Sequence, residues 1–257
     1  MEKILKQIHQ MEDLYVRLFS EAEEDEEKII YVDRLIEDMY SHNFRYYKNV
    51  DVMKKELQIL VKELQDEYLR VIFPGEAKKE YYEELSLKPT VNEYEIYLIE
   101  SEKYIDLPIN ERVAVLKVTN DEILKDAVEA DIEANKKAMG IEFVARRILR
   151  KSICYMDQKK SIDFYVAYDQ GVPVGTVEYA YHENIVKIED FDVLESHQKK
   201  GIGTSMLRQM LKDAYESNIE YAYLITDKSD TAKEMYQKCG FRKVDEKSEL
   251  FFSKKSI

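Results

Sequence analysis

Residues 186–206 of the chain, VKIEDFDVLESHQKKGIGTSM, decide the fold. The beginning of this stretch predicts a strand, and the loop after it carries Gln198-Lys199-Lys200-Gly201-Ile202-Gly203. Apolar residues then recur at helical spacing, at Met206, Leu207, Met210, Leu211 and Ala214. The sequence therefore predicts a strand, a glycine-containing loop and a helix N-terminus in direct succession.

This succession is suited to binding phosphate. The first N–H groups of a helix have no partner within it, and the helix dipole favours an anion at that end. Gly201 and Gly203 let the backbone approach a ligand closely, and Lys199 and Lys200 add positive charge. The spacing is neither that of a Walker loop nor that of G-x-G-x-x-G, so a nucleotide-binding motif of either kind is excluded.

The pattern Q-x-x-G-x-G at residues 198–203 resembles the acetyl-CoA loop of the GNAT superfamily of N-acetyltransferases. Val193 lies five residues before the glutamine, as the strand residue of that family does. Residues 232–241 follow the order A-x-x-x-Y-x-x-x-G-F, which is similar to the last helix of that family and its exit. The resemblance covers about residues 111–257 and is specific to the superfamily rather than to a substrate.

The resemblance implies acetyl-CoA as the cosubstrate. The amides of the loop would hold its pyrophosphate, and the edge of the preceding strand would pair with its pantetheine arm. The expected cofactor-binding residues are Phe191, Asp192, Val193, Gln198, Lys199, Lys200, Gly201, Ile202, Gly203, Thr204 and Ser229. Many relatives carry asparagine where this chain has Ser229, although a serine there can still cap the last helix.

Two catalytic roles are expected from the same resemblance. Tyr236 would be the general acid that returns a proton to the thiolate, and the alternative is an aromatic side chain that only packs. Among the strand carboxylates, Glu189 is the first choice for the general base and Asp190 the second. Regular alternation along the strand places Glu189 on the face of Phe191 and Asp190 and Asp192 on the other. These carboxylates could instead only bind a cationic amine or line the surface.

The leading functional hypothesis is therefore transfer of an acetyl group from acetyl-CoA to a primary amine, on a small molecule or a peptide. The alternative is a CoA-binding, non-catalytic sensor or scaffold that contacts a partner through an acidic first half. A third hypothesis is transfer of a larger acyl or aminoacyl group, which some two-unit relatives perform.

The charge distribution disfavours nucleic acid as a partner. The net charge is −13, and about −11 of it falls in residues 1–110, which leaves no basic half. The acidic run at residues 21–27 is predicted as a solvated helix face or loop, or as a docking surface for a basic partner.

The remaining composition indicates a cytoplasmic protein, either a monomer or a homodimer. No apolar run is long enough to span a membrane, and the N-terminus has no signal-peptide pattern. Cys154 and Cys239 lie far apart and are expected to be free thiols. The histidines form no ligand pair at helical spacing, so no metal site is expected.

The predicted fold is α/β, with a mixed sheet and helices on both faces, in two units. Residues 108–257 form the GNAT acetyltransferase domain. Residues 1–107 are predicted to follow the order β-α-β-α-β, which resembles the back half of a GNAT-like domain, but they lack the glycine loop. They are therefore expected to form a smaller, degenerate GNAT-like unit, and the alternative is an unrelated α/β cap. Its predicted helices are residues 2–20, part of 28–40, 52–66 and 76–87, and its predicted strands are 43–48, 68–73 and 91–100.

Overall fold

The computed structural model describes residues 1–64 and 67–254, which are built around one eleven-stranded sheet. In those residues the α-helices are α1 (Glu2–Arg17), α2 (Val50–Lys62), α3 (Asp121–Met139), α4 (Ile141–Tyr155), α5 (Ile202–Glu216) and α6 (Ala232–Lys238). The strands of the first half are β1 (Glu21–Glu24), β2 (Lys28–Val32), β3 (Phe44–Tyr47), β4 (Tyr68–Pro74) and β5 (Thr90–Glu100). Those of the second half are β6 (Val113–Lys117), β7 (Ile162–Asp169), β8 (Val172–His182), β9 (Ile185–Val193), β10 (Tyr221–Asp227) and β11 (Arg242–Ser253).

The strand order across the sheet is β1-β2-β3-β4-β11-β5-β10-β9-β8-β7-β6. Neighbouring strands are antiparallel except for β3 with β4 and β9 with β10, which are parallel. Helices α2 and α5 connect these parallel pairs, as the crossover between parallel strands requires. The fold is thus the mixed α/β sheet that the sequence predicts.

The two halves of the chain exchange their last strands. β5, from the first half, pairs with β10 of the second half, and β11 pairs with β4 of the first. β5 and β11 also pair with each other at the centre of the sheet. The two ends of the sheet follow a similar plan: a run of antiparallel strands, a crossover helix, a parallel strand and then the final strand of the other half. The run has three strands at the β1 end and four at the β6 end. One sheet therefore runs without a break across the predicted boundary at residues 107–108.

Helices cover both faces of the sheet. The core on one face packs α5 against β7–β10, with Met206, Leu207 and Met210 fully buried. The core on the opposite face packs α1, α3 and α4 against the sheet. A further core surrounds α2, where Met53 and Leu57 are fully buried. Each helix thus buries the apolar stripe that its sequence periodicity predicts.

Helix boundaries follow the local sequence. The Asn120 side chain accepts a hydrogen bond from the amide of Ile123 at 3.0 Å and caps α3. Gly140 ends α3 with φ of 82° and begins α4 directly, which needs a residue that tolerates positive φ. For the second half, the sequence predicts helices at about residues 119–139, 142–156, 203–218 and 231–239, and strands at 112–118, 163–168, 176–181, 185–193, 221–226 and 243–252. All of these helices and strands are present.

Two helices predicted in the first half are wrong. Part of residues 28–40 was expected to be helical, but β2 begins there, with Ile29 and Tyr31 buried in alternation. Residues 76–87 form only one 3-10 turn, at Lys79–Tyr81. The predicted end of α2 at Asp66 lies outside the described residues.

The acidic run at residues 21–27 is also not helical. It begins with the edge strand β1, which pairs with β2. Glu24 of this strand bonds Arg17 at 2.6 Å and Lys48 at 2.7 Å. A short, charged edge strand discourages pairing with other chains, which is a structural role for these acids.

We predict that residues 108–257 do not fold as a soluble unit alone, because β10 and β11 would each lose β5 as a neighbour. Co-expression with a separate chain of residues 1–107 should restore a soluble complex. Gel filtration and thermal unfolding of the fragments, apart and together, measure this. A soluble 108–257 fragment with cooperative unfolding would show instead that the units are independent.

Candidate active site

β9 and β10 run side by side for only part of their length. Their parallel pairing ends at Ile188 and Leu224. β10 continues to Asp227 beside β5, while β9 continues to Val193 beside β8. Among the described strands, none pairs with β9 beyond Ile188 on the side of β10. The diverging strands open a V-shaped gap lined by an unpaired strand edge.

A β-bulge lies where the strands diverge. Thr176 pairs with Asp192 and Glu178 with Glu189 across β8 and β9, so β9 has an extra residue between these pairs. Asp190 adopts a left-handed φ of 43° in the bulge. For a residue other than glycine, such a conformation costs on the order of 1–3 kcal/mol. The surrounding structure must therefore hold Asp190 in place.

The bulge overturns the alternation predicted along β9. Glu189 lies on the face covered by α1, where Lys187 Nζ is 2.7 Å from its Oε2 and also hydrogen-bonds Glu12 of α1. Phe191 and Val193 pack instead into the core beneath α5. The prediction that Glu189 shares their face is wrong, because the extra residue reverses the alternation.

Helix α5 begins at the mouth of the gap without a side-chain cap. Gly201 is its N-cap residue, with φ of 78°, and no side chain in the described ranges bonds the amides of its first turn. Lys199 is also left-handed, with φ of 60°. The amides of Ile202, Gly203 and Thr204 have no partner within the helix. This is the electropositive helix start that the sequence predicts for a phosphate.

Gly203 lies at the closest approach of β9, α5 and α6. A Cβ atom at this position would lie 3.0 Å from Met235 Sδ and 3.4 Å from Phe191 Cε1. A larger residue at this position would therefore have to displace the Met235 side chain. Thr204, next in the chain, lies near the buried thiol of Cys239 after α6.

The side chains of the predicted loop hold its shape. Gln198 Nε2 donates to the carbonyl of Val193 at 3.1 Å, which ties the loop back to β9. Lys200 Nζ donates to the carbonyl of Ser196 at 2.8 Å. Lys199 is exposed beside the start of α5, where its charge adds to that of the helix.

Ser229 lies on the opposite side of the gap, before α6. Its hydroxyl donates to Asp227 Oδ1 at 2.5 Å. Asp230 instead accepts the hydrogen bond from the amide of Ala232, the first residue of α6, at 2.8 Å. The expectation that Ser229 caps this helix is therefore wrong, because the aspartate next to it takes that role.

Tyr236 projects from α6 towards the same gap. Its ring meets Phe191 edge-on, with 6.3 Å between ring centroids and 82° between ring planes. No hydrogen bond to its hydroxyl occurs within residues 1–64 and 67–254. Burial, with smaller contributions from Asp230 and Glu189, raises the pKa of the Tyr236 phenol well above its ordinary value. The hydroxyl is thus a protonated donor.

Residues 133–241 match the model of the Acetyltransferase (GNAT) family. The chain contains a GNAT acetyltransferase domain. The match spans the diverging strands, the loop and α6, so it covers the whole candidate site. The curated "Uncharacterized N-acetyltransferase CgeE" of Bacillus subtilis is 23% identical to this chain, over 93% of this chain and 95% of that protein.

Solved structures share this fold over both halves of the chain. A functionally unknown conserved protein from Staphylococcus epidermidis has a TM-score of 0.76 and 22% identity, covering 92% of this chain and 95% of its own. A GCN5-related N-acetyltransferase from Kribbella flavida has a TM-score of 0.68 and 14% identity, covering 97% of this chain and 95% of its own. A tandem GNAT protein from the clavulanic acid biosynthesis pathway has a TM-score of 0.53 and 11% identity, covering 78% of this chain and 68% of its own. The fold of the first half therefore also occurs in solved structures.

The carboxylates of β9 differ sharply within the GNAT domain. Asp190 accepts hydrogen bonds from Lys151 Nζ at 2.5 Å and Arg147 Nη1 at 2.7 Å. Although burial opposes it, these two cations lower the pKa of Asp190 well below its ordinary value. Asp192 accepts one bond from Asn135, at 2.9 Å, and burial together with the Asp190 charge raises its pKa. Asp190 is therefore a poor proton acceptor and Asp192 a better one.

A buried polar network joins these carboxylates to other parts of the chain. Lys151 Nζ lies 2.5 Å from Glu178 Oε1, and Tyr15 of α1 donates to Glu178 Oε2 at 2.5 Å. Arg147 also donates to Asp131 at 2.6 Å, and burial raises the pKa of Asp131 to about 6. The sequence reasoning missed this network. Arg147 and Lys151 lie at helical spacing among apolar residues of α4, which was the available signal.

Both cysteines are buried and unpaired, as the sequence predicts. No helix in the part of the chain described by the structure has the length and hydrophobicity needed to cross a membrane.

Proposed function

We propose that this protein transfers the acetyl group of acetyl-CoA to a primary amine on a small molecule or a peptide. The observation that carries the proposal is the gap between β9 and β10, with the uncapped start of α5 at its mouth. Amide formation from a thioester needs a bound donor, a neutral amine and stabilisation of the charge that develops on oxygen and sulfur. The residues around the gap offer a group for each need.

The donor would bind through backbone groups. The amides from Lys199 to Thr204 would bind the pyrophosphate, and each hydrogen bond to such an anion contributes about 1.5–3 kcal/mol. The free edge of β9 from Phe191 to Val193 would pair with the pantetheine amides as an added strand does. The thioester would then lie within the gap, near Tyr236.

Tyr236 would stabilise the leaving sulfur. Its hydroxyl is protonated and lacks a partner in the described ranges, so it is available to donate. A hydrogen bond formed to the thiolate as the C–S bond breaks is stronger in the transition state than in the ground state, which is the requirement for catalysis.

Asp192 is the carboxylate best suited to accept the amine proton. Asp190 is held by two cations, which stabilise its charged form. Glu189 lies on the face covered by α1, where Lys187 contacts its carboxylate. Asp192 has its pKa raised and only Asn135 as a described hydrogen-bond partner. Asp192 therefore replaces Glu189 as the proposed general base.

We predict that Gly201→Glu abolishes measurable binding of acetyl-CoA. The new side chain would bring negative charge to the phosphate site, at a residue with φ of 78°. Isothermal titration of acetyl-CoA into both proteins measures this. Gly171→Glu is the matched control, because Gly171 has φ of 85° and open space around it, but lies in the turn between β7 and β8. Absence of binding by the parent protein would overturn the proposed function.

We predict that Tyr236→Phe lowers kcat by about 10²-fold, a usual effect of losing one proton donor, and leaves the Kd of acetyl-CoA within threefold. A thiol-release assay with a panel of amines gives kcat, and titration gives Kd. Tyr179→Phe serves as control, because it also removes a buried hydroxyl without a described partner. Binding without turnover in the parent protein would favour the non-catalytic sensor.

We predict that Asp192→Asn lowers kcat by about 10²-fold and removes the acid limb of the pH profile. The base must be ionised, so activity should fall as pH drops through the raised pKa of Asp192. Glu189→Gln should cost less than about tenfold and keep the limb. Rate profiles of both variants between pH 5 and 9 decide between them, and the opposite result would assign the base to Glu189.

A further inference from the structure

The bulge in β9 adopts a conformation that its sequence does not favour. The backbone of a strand is extended and has negative φ, yet Asp190 has φ of 43° at the point where β9 leaves β10. Aspartate tolerates this region better than most residues, but glycine would adopt it without steric cost. Something outside the strand must therefore select this conformation.

We propose that Lys151 is a positioning residue: by holding the Asp190 carboxylate, it fixes the bulge that separates β9 from β10 and keeps the edge of β9 free for the pantetheine arm. The inference rests on the proposed function, because it concerns how the donor is bound. Lys151 itself would touch neither substrate.

The anchor is short, buried and rigid. Lys151 is 1% exposed. Its Nζ lies 2.5 Å from Asp190 Oδ2, and Arg147, one turn earlier on α4, reaches the same oxygen at 2.7 Å. Both cations come from a helix rather than a loop, so their positions are set by the packing of α4 on the sheet. The carboxylate can satisfy both only when Asp190 turns towards α4.

The same lysine connects the bulge to the first half of the chain. Lys151 Nζ lies 2.5 Å from Glu178 Oε1 and 3.2 Å from the hydroxyl of Tyr15 on α1. Tyr155, from α4, also donates to Glu178. Because Glu178 pairs with Glu189 next to the bulge, β8, β9, α1 and α4 meet around one ammonium group. The geometry of the gap thus depends on α1 being in place.

Stability alone does not account for this arrangement. A buried ion pair gains little over well-packed apolar side chains, because desolvation offsets the attraction between the charges. Buried polar contacts do select one conformation among several, which is the role proposed here. The test must therefore measure a property of the gap that general loss of stability would not change.

The experiment compares two ligands that share the phosphate site. Acetyl-CoA would occupy both the loop and the gap, whereas adenosine 3′,5′-bisphosphate keeps the adenosine and the inner phosphate of the pyrophosphate but lacks the pantetheine arm. We expect Lys151→Met to raise the Kd of acetyl-CoA by roughly tenfold, because coupling between contacting residues is of this size. The Kd of the bisphosphate should rise by less than about twofold. Isothermal titration of the full chain measures both. Arg146→Met is the matched control, since Arg146 lies on the same helix but pairs with Asp38 at the surface.

Replacing Asp190 provides a second, independent measurement. In an Asp190→Gly background the bulge no longer needs an anchor, so Lys151→Met should cost less than about threefold in acetyl-CoA affinity. If Lys151→Met alone does not fold, the acetyl-CoA affinities of Asp190→Gly and Asp190→Ala test the inference instead. Both lose the carboxylate, but only glycine keeps left-handed backbone without strain, and only that variant should retain acetyl-CoA affinity.

The outcomes separate this inference from the proposed function. Failure of the parent chain to bind acetyl-CoA overturns the proposed function and this inference with it. The parent chain could bind acetyl-CoA normally while Lys151→Met leaves the affinity for both ligands unchanged, or weakens it equally for both. Either result overturns this inference alone. An undiminished effect of Lys151→Met in the glycine background does the same.

Discussion

The pairing of β5 with β10 is the constraint on which the rest of this structure depends. β10 needs a neighbour on at least one edge, and β5 supplies it along the full length from Tyr221 to Asp227. Because that edge is satisfied, the other edge of β10 is free to lose β9 after Leu224. The gap at the candidate site therefore depends on a strand of the first half, although β9, β10 and the loop between them all belong to the second.

The bulge then acts on the opposite side of the gap. β10 stays in line with β5, while β9 turns away where Asp190 faces α4. Two separate devices thus shape one opening: a strand contributed by the first half, and a buried cation on a helix of the second. Tyr15 of α1 reaches the network around that cation, so the first half contributes a side chain as well as a strand.

Much of the second half could be predicted from its sequence, because its signals are local. Glycines mark the end of α3 and the start of α5, and apolar periodicity marks the helices between them. The glycines of the Q-x-x-G-x-G loop mark the uncapped start of α5 in the same way. Residues 76–87 show the limit: their composition suits a helix, but the structure contains only a 3-10 turn. Tertiary packing overrode a weak local preference there.

The features that sequence alone could not supply are non-local. The face of the sheet on which Glu189 lies depends on one extra residue in β9. The sequence of the strand does not reveal this bulge. The pairing of Lys151 with Asp190 joins a helix to a strand 39 residues away. The exchange of β5 and β11 joins segments that are far apart in the sequence, and neither strand carries a signal of its partner.

That exchange has a consequence for how the chain acquires its structure during synthesis. β4 is made well before its partner β11, which follows every other described strand along the chain, and Tyr68 pairs with Ser253. Until β11 arrives, the inner edges of β4 and β5 are open templates for association with another chain. Contacts between such distant segments also slow folding. The nascent first half therefore passes through an aggregation-prone interval that ends only when the C-terminal strand closes the sheet.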